Sequence, residues 1–290
     1  MDWLSLTLVC AFSLALADTG TKRFLSGYRA PQLVMVRFGL TTLLLLPTLL
    51  FLPLATPAPE FWWWMGAALP LEVLAELLYV LAIRDSPLSL TLPYLAFTPV
   101  LTALSGWLLL GERISAQGLA GVLLVVVGAY LLNLRHARLA APRTWIAPLL
   151  AITRERGSRL MLGVAVIYGL TSVLGKGAMQ HMPGPGFGAF YFVLVGLFTL
   201  LVFGLREPAA LRTLIRPRPA HFLVAGLMAL MIVTHFMALA LVETAYMIAV
   251  KRLSILFGIL LGAMFFAEGR LARNLAASGM MVGGVALILL

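Results

Sequence analysis

Charged side chains occur inside apolar runs of this sequence. Glu72 and Glu76 lie in ALPLEVLAELLYV, one helical turn apart, so a helix presents both carboxyl groups on one face. Lys251 and Arg252 are adjacent in TAYMIAVKRLSILFG, and Arg37 interrupts a third apolar run. Carboxylates, an amine and guanidinium groups in such surroundings can carry protons, form buried ion pairs or bind a charged solute.

The two adjacent cations raise a geometric question. Successive side chains on a helix point about 100° apart, so Lys251 and Arg252 cannot both face one point of a regular helix. We expect one of them to face a central cavity as a substrate-binding or proton-linked group, and the other to pair with a carboxylate such as Glu72, Glu76 or Glu243. The alternative is a set of structural ion pairs that fix the helix packing and contact no ligand.

The composition is that of a membrane protein. Of 290 residues, 62% are hydrophobic and 11% are charged, which is more apolar than a soluble domain. Uncharged stretches such as 86–111 and 219–242 are long enough to cross about 30 Å of hydrocarbon as helices, and they lack the alternation of a membrane barrel. The net charge of +10 lies in short loops rather than on a basic face, so we expect the lipid bilayer, and no nucleic acid, as a partner.

Hydropathy and loop residues divide the chain into ten predicted transmembrane helices. The end of the first span could pass for a signal-peptide cleavage site, but its start lacks the positive charge of a signal peptide, so we expect the span to stay in the protein. The predicted spans are 3–21, 31–53, 61–83, 88–110, 115–134, 160–181, 186–205, 220–242, 244–267 and 272–290.

The two halves of the chain are similar to one another. With one small gap, the paired residues are Lys22 with Lys176, Pro31 with Pro185, Gly106 with Gly262, Glu112 with Glu268, Leu119 with Leu275 and Gly128 with Gly284. Each half holds five spans, and an odd number forces the second half through the membrane in the opposite sense. We therefore predict an all-α integral membrane protein of ten transmembrane helices in two inverted five-helix repeats, 1–134 and 160–290, joined by a cytoplasmic linker, 135–159.

Loop cations predict the orientation in the membrane. Nearly all Lys and Arg residues of the loops follow odd-numbered spans, whereas the opposite surface carries Arg113 alone. Because positively charged loops stay in the cytoplasm, we expect both termini outside. The Arg-heavy, Lys-poor composition fits a bacterial inner membrane.

These features resemble a known family. The five-plus-five layout, Gly111 and Glu112 closing span four, Glu268 closing span nine, the Lys residues ending spans one and six, and Arg37 in span two are similar to the drug/metabolite transporter superfamily, specifically its EamA-type domain pair. The resemblance covers nearly the whole chain but includes no single specific motif. It implies a bundle with a central cavity lined from both halves, and the movement of small organic metabolites, often outward. Such relatives are usually described with cytoplasmic termini, opposite to the charge count.

Six residues are candidates for substrate binding or proton coupling. Tyr246 joins the five charged ones because it and nearby methionines could line an adaptable apolar pocket. The candidates are Glu72, Glu76, Lys251, Arg252, Arg37 and Tyr246.

Other polar and small residues have structural interpretations. Asp18, Lys22 and Lys176 lie near predicted helix ends, where we expect them to snorkel to the interface, and Glu112 and Glu268 are expected in structural turns. GILLG (258–262) and GMMVG (279–283) have the spacing of close helix contacts. We interpret them as packing between spans nine and ten, with a homodimer interface as the alternative.

No cofactor or metal is expected. The chain has a single cysteine, no histidine pair spaced for zinc, and no G-x-x-x-x-G-K loop for ATP. We expect a secondary active transporter that moves a small organic metabolite, an amino-acid-like or other zwitterion or an anion, as an exporter by alternating access. The alternatives are a flippase for a lipid-linked headgroup and an intramembrane enzyme, for which Glu72 and Glu76 alone supply too few groups.

Overall fold

The computed structural model of the chain describes residues 2–86, 91–132, 155–204, 206–266 and 275–289. The predicted linker 135–159, apart from its last five residues, and Glu268 lie outside this part of the chain. The described residues contain helices and no strands.

Seven helices of the described chain are long and apolar enough to cross a membrane, and three shorter ones are also apolar. The prediction of an all-α, multi-span membrane protein is confirmed. A further short helix spans Pro208–Ile215. The apolar helices are α1 (Trp3–Phe24), α2 (Ala30–Leu50), α3 (Pro59–Asp85), α4 (Leu92–Phe97 and Thr98–Leu110), α5 (Ala116–Leu132), α6 (Arg156–Gln180), α7 (Phe187–Gly204), α8 (Pro219–Leu239), α9 (Thr244–Lys251 and Leu253–Phe266) and α10 (Leu275–Leu289).

Several of these helices have irregular stretches. In α2 the stretch Met35–Leu40, which contains Arg37, is a π-helix, a widened turn that is frequent at functional sites. In α4 a 3₁₀ segment precedes the regular helix, and Pro99 lies in the first turn of the regular part, where a missing N–H costs nothing. In α9 the helix stops at Lys251 and starts again at Leu253.

The helix contacts occur in symmetric pairs. The packing of α3 on α6 has a counterpart in the packing of α8 on α1, and the contact of α4 with α6 has one in the contact of α9 with α1. The last helices of the two halves, α5 and α10, pack on each other. Two similar five-helix halves related by a twofold axis account for this pattern.

The α5–α10 interface follows the register read from the sequence. A Cβ atom on Gly284 would meet the carbonyl oxygen of Gly121 at 2.7 Å and the amide of Val125 at 2.8 Å. A Cβ atom on Gly128 would meet Ala277 O at 2.8 Å and Met281 N at 2.9 Å. Gly128 and Gly284 were paired by alignment, and the same offset carries Gly121 and Val125 onto Ala277 and Met281. The contacts of Gly284 with Gly121 and Val125 are therefore repeated by the contacts of Gly128 with Ala277 and Met281.

The expected packing of spans nine and ten through GILLG and GMMVG is wrong. In the described chain the main partner of α10 is α5. A Cβ atom added to Gly279 would meet nothing within 4 Å, and one added to Gly283 would make only an ordinary contact with Leu124. The close approach is made one residue later, by Gly284, because the small face of α10 turns toward the small face of α5.

Gly284→Ala should destabilise the protein, whereas Gly279→Ala should not. A methyl group on Gly284 meets backbone atoms, which cannot rotate away, and such overpacking costs about 1–3 kcal/mol. Gly279 faces open space, so alanine there gains helix propensity, up to about 1 kcal/mol. Thermal unfolding of the two variants in detergent measures both signs. Equal stability of the two variants would contradict the tight interface.

Candidate functional site

A central cavity lies between the two halves of the bundle. The space open to water-sized molecules within it is about 90 Å³. Helices α1, α2, α3, α4, α6, α7, α8 and α9 each contribute at least one side chain to its wall. Five of the six candidate residues lie in this wall: Arg37, Glu72, Glu76, Lys251 and Arg252.

Arg37 is the centre of a buried ion network at one side of the cavity. Its guanidinium contacts Asp18 Oδ1 at 2.9 Å and Glu76 Oε1 at 2.5 Å, and all three side chains are at most 4% exposed. The hydroxyl of Tyr79 donates to the second oxygen of Asp18, and the hydroxyl of Tyr168 donates to the second oxygen of Glu76 at 3.2 Å. Each charge therefore has a charged or hydroxyl partner, as a buried ion pair requires.

Glu72 lies one turn before Glu76 but outside this network. Tyr191 donates a hydrogen bond of 3.3 Å to Glu72 Oε1, and no Lys or Arg of the described chain lies within ion-pair distance of the carboxylate. A cavity carboxylate with a hydroxyl but no cation beside it can accept a positively charged group of a ligand, or a proton.

Lys251 and Arg252 face the same cavity without a carboxylate partner in the described chain. Lys251 Nζ lies 3.1 Å from His235 Nδ1 and 3.5 Å from Met231 Sδ. Arg252 is 3% exposed, and its Nε has no hydrogen-bond partner among the described residues. Two adjacent cations that lack a counter-ion make this wall of the cavity electropositive.

The expectation that one of the two cations pairs with a carboxylate is therefore not met in the described chain. Glu76 is held by Arg37, and neither Glu72 nor Glu243 forms an ion pair there. Because Glu76 is already bonded to Arg37, it is not available to either cation. Both cations line the cavity, although Arg252 keeps right-handed helical backbone angles, φ −67° and ψ −8°, at the end of the first part of α9.

Equivalent positions of the two halves of the chain line the cavity. In the register of the repeat, the α3 residues Glu72, Glu76 and Tyr79 correspond to the α8 residues Met228, Ile232 and His235, and all six line the cavity. Arg37 and Lys251 correspond to Tyr191 and Leu95, which also line it. Equivalent positions of the two halves thus form the wall. Where one member of a pair carries a formal charge, its equivalent does not.

Tyr246 is placed elsewhere. Its hydroxyl accepts a hydrogen bond of 3.0 Å from the backbone N–H of Ser115, and its ring covers Gly118, which has no side chain to obstruct it. Tyr246 does not line the central cavity. It joins the start of α9 to the start of α5, so its position supports a packing role.

The snorkelling expected of three residues near helix ends is not found. Asp18 does not snorkel, since it is 3% exposed and bonded to Arg37. Lys176 forms a half-buried ion pair of 2.8 Å with Glu112 and donates to the carbonyl of Val242 at 2.6 Å. The equivalent Lys22 donates to the carbonyl of Ser86 at 2.9 Å. Both lysines thus point inward, and each donates to a backbone carbonyl just beyond the C-terminal end of another helix.

Glu112 has the structural role expected of it. It follows Gly111, whose φ of +66° ends α4, a backbone conformation that glycine adopts without strain. Its carboxylate accepts from Lys176, from the hydroxyl of Thr244 at 2.8 Å and from the backbone N–H of Thr244. We call the end of the bundle that carries Glu112 and the turns 111–115, 181–186 and 240–243 the Glu112 end.

Comparison with known proteins identifies the first half. The model of the EamA-like transporter family matches residues 1–134. This match, over 134 of the 290 residues, indicates a membrane transporter of the drug/metabolite superfamily. The family is one of transporters, not of enzymes.

Solved structures share the fold of this transporter. One crystal structure, described only as that of a protein, has 18% sequence identity and a TM-score of 0.69, and the match covers 99% of this chain and 98% of that one. The likeness extends the common architecture over both halves. No curated protein sequence matches the chain significantly.

Sequence reasoning missed several residues that surround the charged groups. Tyr79 could have been found, because it lies three residues after Glu76 and hence on the same face of α3. Tyr168, Tyr191 and His235 had no comparable signal, since each lies on a helix without a charged cavity residue. They reach the site only through the packing of the second half against the first.

Proposed function

We propose that the protein is a secondary active transporter for a small zwitterionic metabolite, such as an amino acid. One observation supports this most directly: the described cavity wall contains two kinds of charge without a protein counter-ion, the cations Lys251 and Arg252 and the carboxylate Glu72. A solute with an acidic and an amino group can supply both missing partners. Arg37, already bonded to two carboxylates, keeps a structural role.

The transport mechanism that fits this arrangement is alternating access. The site is lined by helices of both halves, and these helices pack in matching pairs. Rocking of one half against the other can therefore open the site to either surface without moving the charged groups far. We infer that the energy comes from a gradient or from exchange. Glu72, which has a hydroxyl neighbour but no cation among the described residues, is the group we assign to proton coupling when no ammonium group is bound.

Orientation, domain boundaries and direction belong to the same proposal. We place residues 1–134 and 160–290 as the two repeats, with the linker 135–159 in the cytoplasm of a bacterium and both termini outside its inner membrane. The Glu112 end then faces outward. An exporter would load its solute from the opposite end.

Counterflow into proteoliposomes tests the substrate class. We expect a mixture of amino acids to exchange, while the corresponding amines, which lack the carboxylate, and the corresponding acids, which lack the amino group, exchange at least about tenfold more slowly, since an unpaired buried charge costs more than about 1.4 kcal/mol. Glu72→Gln should reduce the exchange of amino acids by a similar factor. Glu60→Gln, an exposed carboxylate in the first turn of the same helix, is the matched control.

Two outcomes would remove the proposal. Equal exchange of amino acids, amines and acids would show that the two charged walls do not recognise the solute. Movement of a lipid with a labelled headgroup, with no exchange of soluble amino acids, would favour the flippase instead.

A further inference from the structure

A second cavity lies next to the central one, at the Glu112 end. The space open to water-sized molecules within it is about 610 Å³. Its wall includes Pro183, Gly184 and Pro185 from the turn between α6 and α7, and Ala240 and Leu241 after α8. These turns belong to the surface of the bundle, so the second cavity is the vestibule of this end.

The side chain of Phe236 lies between the two cavities. Phe236 is the single residue of the described chain that lines both. The neighbouring residues of the same helices divide between them: Gly175 lines the central cavity and Lys176 the vestibule. Phe236 therefore lies at the boundary between the central cavity and the vestibule, on the path from the charged site to the surface.

The ring of Phe236 is held by aromatic neighbours and by two glycines. Its centroid lies 5.2 Å from that of Phe187 and 4.9 Å from that of Tyr191. A Cβ atom on Gly188 would come within 2.8 Å of Phe236 Cβ, and one on Gly175 would lie 3.5 Å from the ring edge. The ring thus extends from α8 toward α6 and α7. The space it fills is free because Gly175 and Gly188 have no side chains.

Tyr191 connects Phe236 to the charged site. This residue packs on Phe236 through its ring and donates its hydroxyl to Glu72. A positively charged group that binds Glu72 competes for that carboxylate oxygen and weakens the hydrogen bond of Tyr191. The ring of Tyr191 is then less constrained, and so is the ring packed against it.

We propose that Phe236 is the gate between the central cavity and the vestibule, and that occupancy of Glu72 controls this gate through Tyr191. The gate lies on the route by which solute passes the Glu112 end, so the inference deepens the proposed transport function and rests on it. Its test, however, measures access to the cavity and requires no knowledge of the solute.

Cysteine accessibility tests the gate. The chain has one cysteine, Cys10, which is fully buried, so Cys10→Ala gives a background without accessible thiols. Ser172→Cys then places a probe in the wall of the central cavity. The rate of modification by a membrane-impermeant methanethiosulfonate is measured from each side of the membrane, and Arg113→Cys, in a turn of the Glu112 end, reports which side that end faces.

Phe236→Ala should raise the modification rate of the probe at least about tenfold from the side of the Glu112 end, because two aromatic contacts that hold the gate closed are lost. Tyr191→Phe keeps both rings and removes only the hydroxyl bonded to Glu72, so we expect a rise of about two- to fivefold, in line with one lost hydrogen bond. Phe222→Ala, on the same helix but exposed, should change nothing.

General loosening is a separate outcome and is recognised by a second probe. Val125→Cys lies in the α5–α10 interface, fully buried and outside both cavities. Should Phe236→Ala expose this probe as well, or leave the Ser172→Cys rate unchanged in a protein of normal yield, the gate does not exist. If Phe236→Ala does not fold, Phe236→Leu, which keeps most of the volume, replaces it. A positive labelling result together with absent amino-acid exchange would overturn the proposed substrate while leaving the gate in place.

Discussion

Arg37→Gln is expected to lower the stability of the protein by about 3–5 kcal/mol, since removing one partner of a buried ion network leaves uncompensated charge. Asp18 and Glu76 would remain, each at most 4% exposed, with only tyrosine hydroxyls beside them. The free energy of unfolding in detergent, or the yield of folded protein where the variant is too unstable, measures the effect.

Two further variants test the cause of that loss. Combining Arg37→Gln with Asp18→Asn and Glu76→Gln removes all three charges and keeps the shapes, so most of the stability should return. Arg84→Gln breaks the exposed pair with Asp85 and should cost less than about 1 kcal/mol. An Arg37→Gln protein as stable as the Arg84→Gln protein would show that the network is not what holds these helices together.

Arg252→Met is expected to have opposite effects on stability and on transport. Without a solute, the guanidinium is buried and its Nε has no partner in the described part of the chain. Replacing it with an apolar side chain removes that desolvation cost, so the empty protein should gain about 1–3 kcal/mol. Transport of a solute with an acidic group should fall by at least about 30-fold, because truncating one partner of a buried charge pair costs about 2–5 kcal/mol.

The two measurements together separate binding from scaffolding. A residue that only supports the fold would lose stability and transport in parallel. Arg113→Met, which removes a cation in a turn at the surface, should change neither quantity. Loss of stability in Arg252→Met would mean that the guanidinium has a structural partner, and the assignment of an anion site at Arg252 would then fail.

The helical architecture could be predicted because the hydropathy and the internal repeat can both be read directly from the sequence. The pairing of Gly128 with Gly284 is an example: it is visible as an alignment, and it reappears as exchanged contacts between α5 and α10. The partners of α10 could not be predicted, since small-residue spacing shows that a helix has a tight face and does not say what covers it.

The charged site could be predicted in composition but not in pairing. A charge inside an apolar helix is costly wherever it points, so Arg37, Glu72, Glu76, Lys251 and Arg252 stand out. Which carboxylate meets which cation depends on how the helices pack. The π-helical stretch at Arg37 also turns side chains away from the directions of a regular helix, and it has no clear signal in one sequence.

The acidic and basic groups of the site come from different halves of the chain. The three carboxylates, Asp18, Glu72 and Glu76, come from the first repeat, and the two cations without a counter-ion in the described chain, Lys251 and Arg252, come from the second. A symmetric pair of first repeats would gather six acidic groups around two arginines in an oily interior, and a pair of second repeats would gather four basic groups and no acid. Each homodimer would repel itself. Only the combination of two unlike halves balances the charges of the cavity, so neither half can substitute for the other.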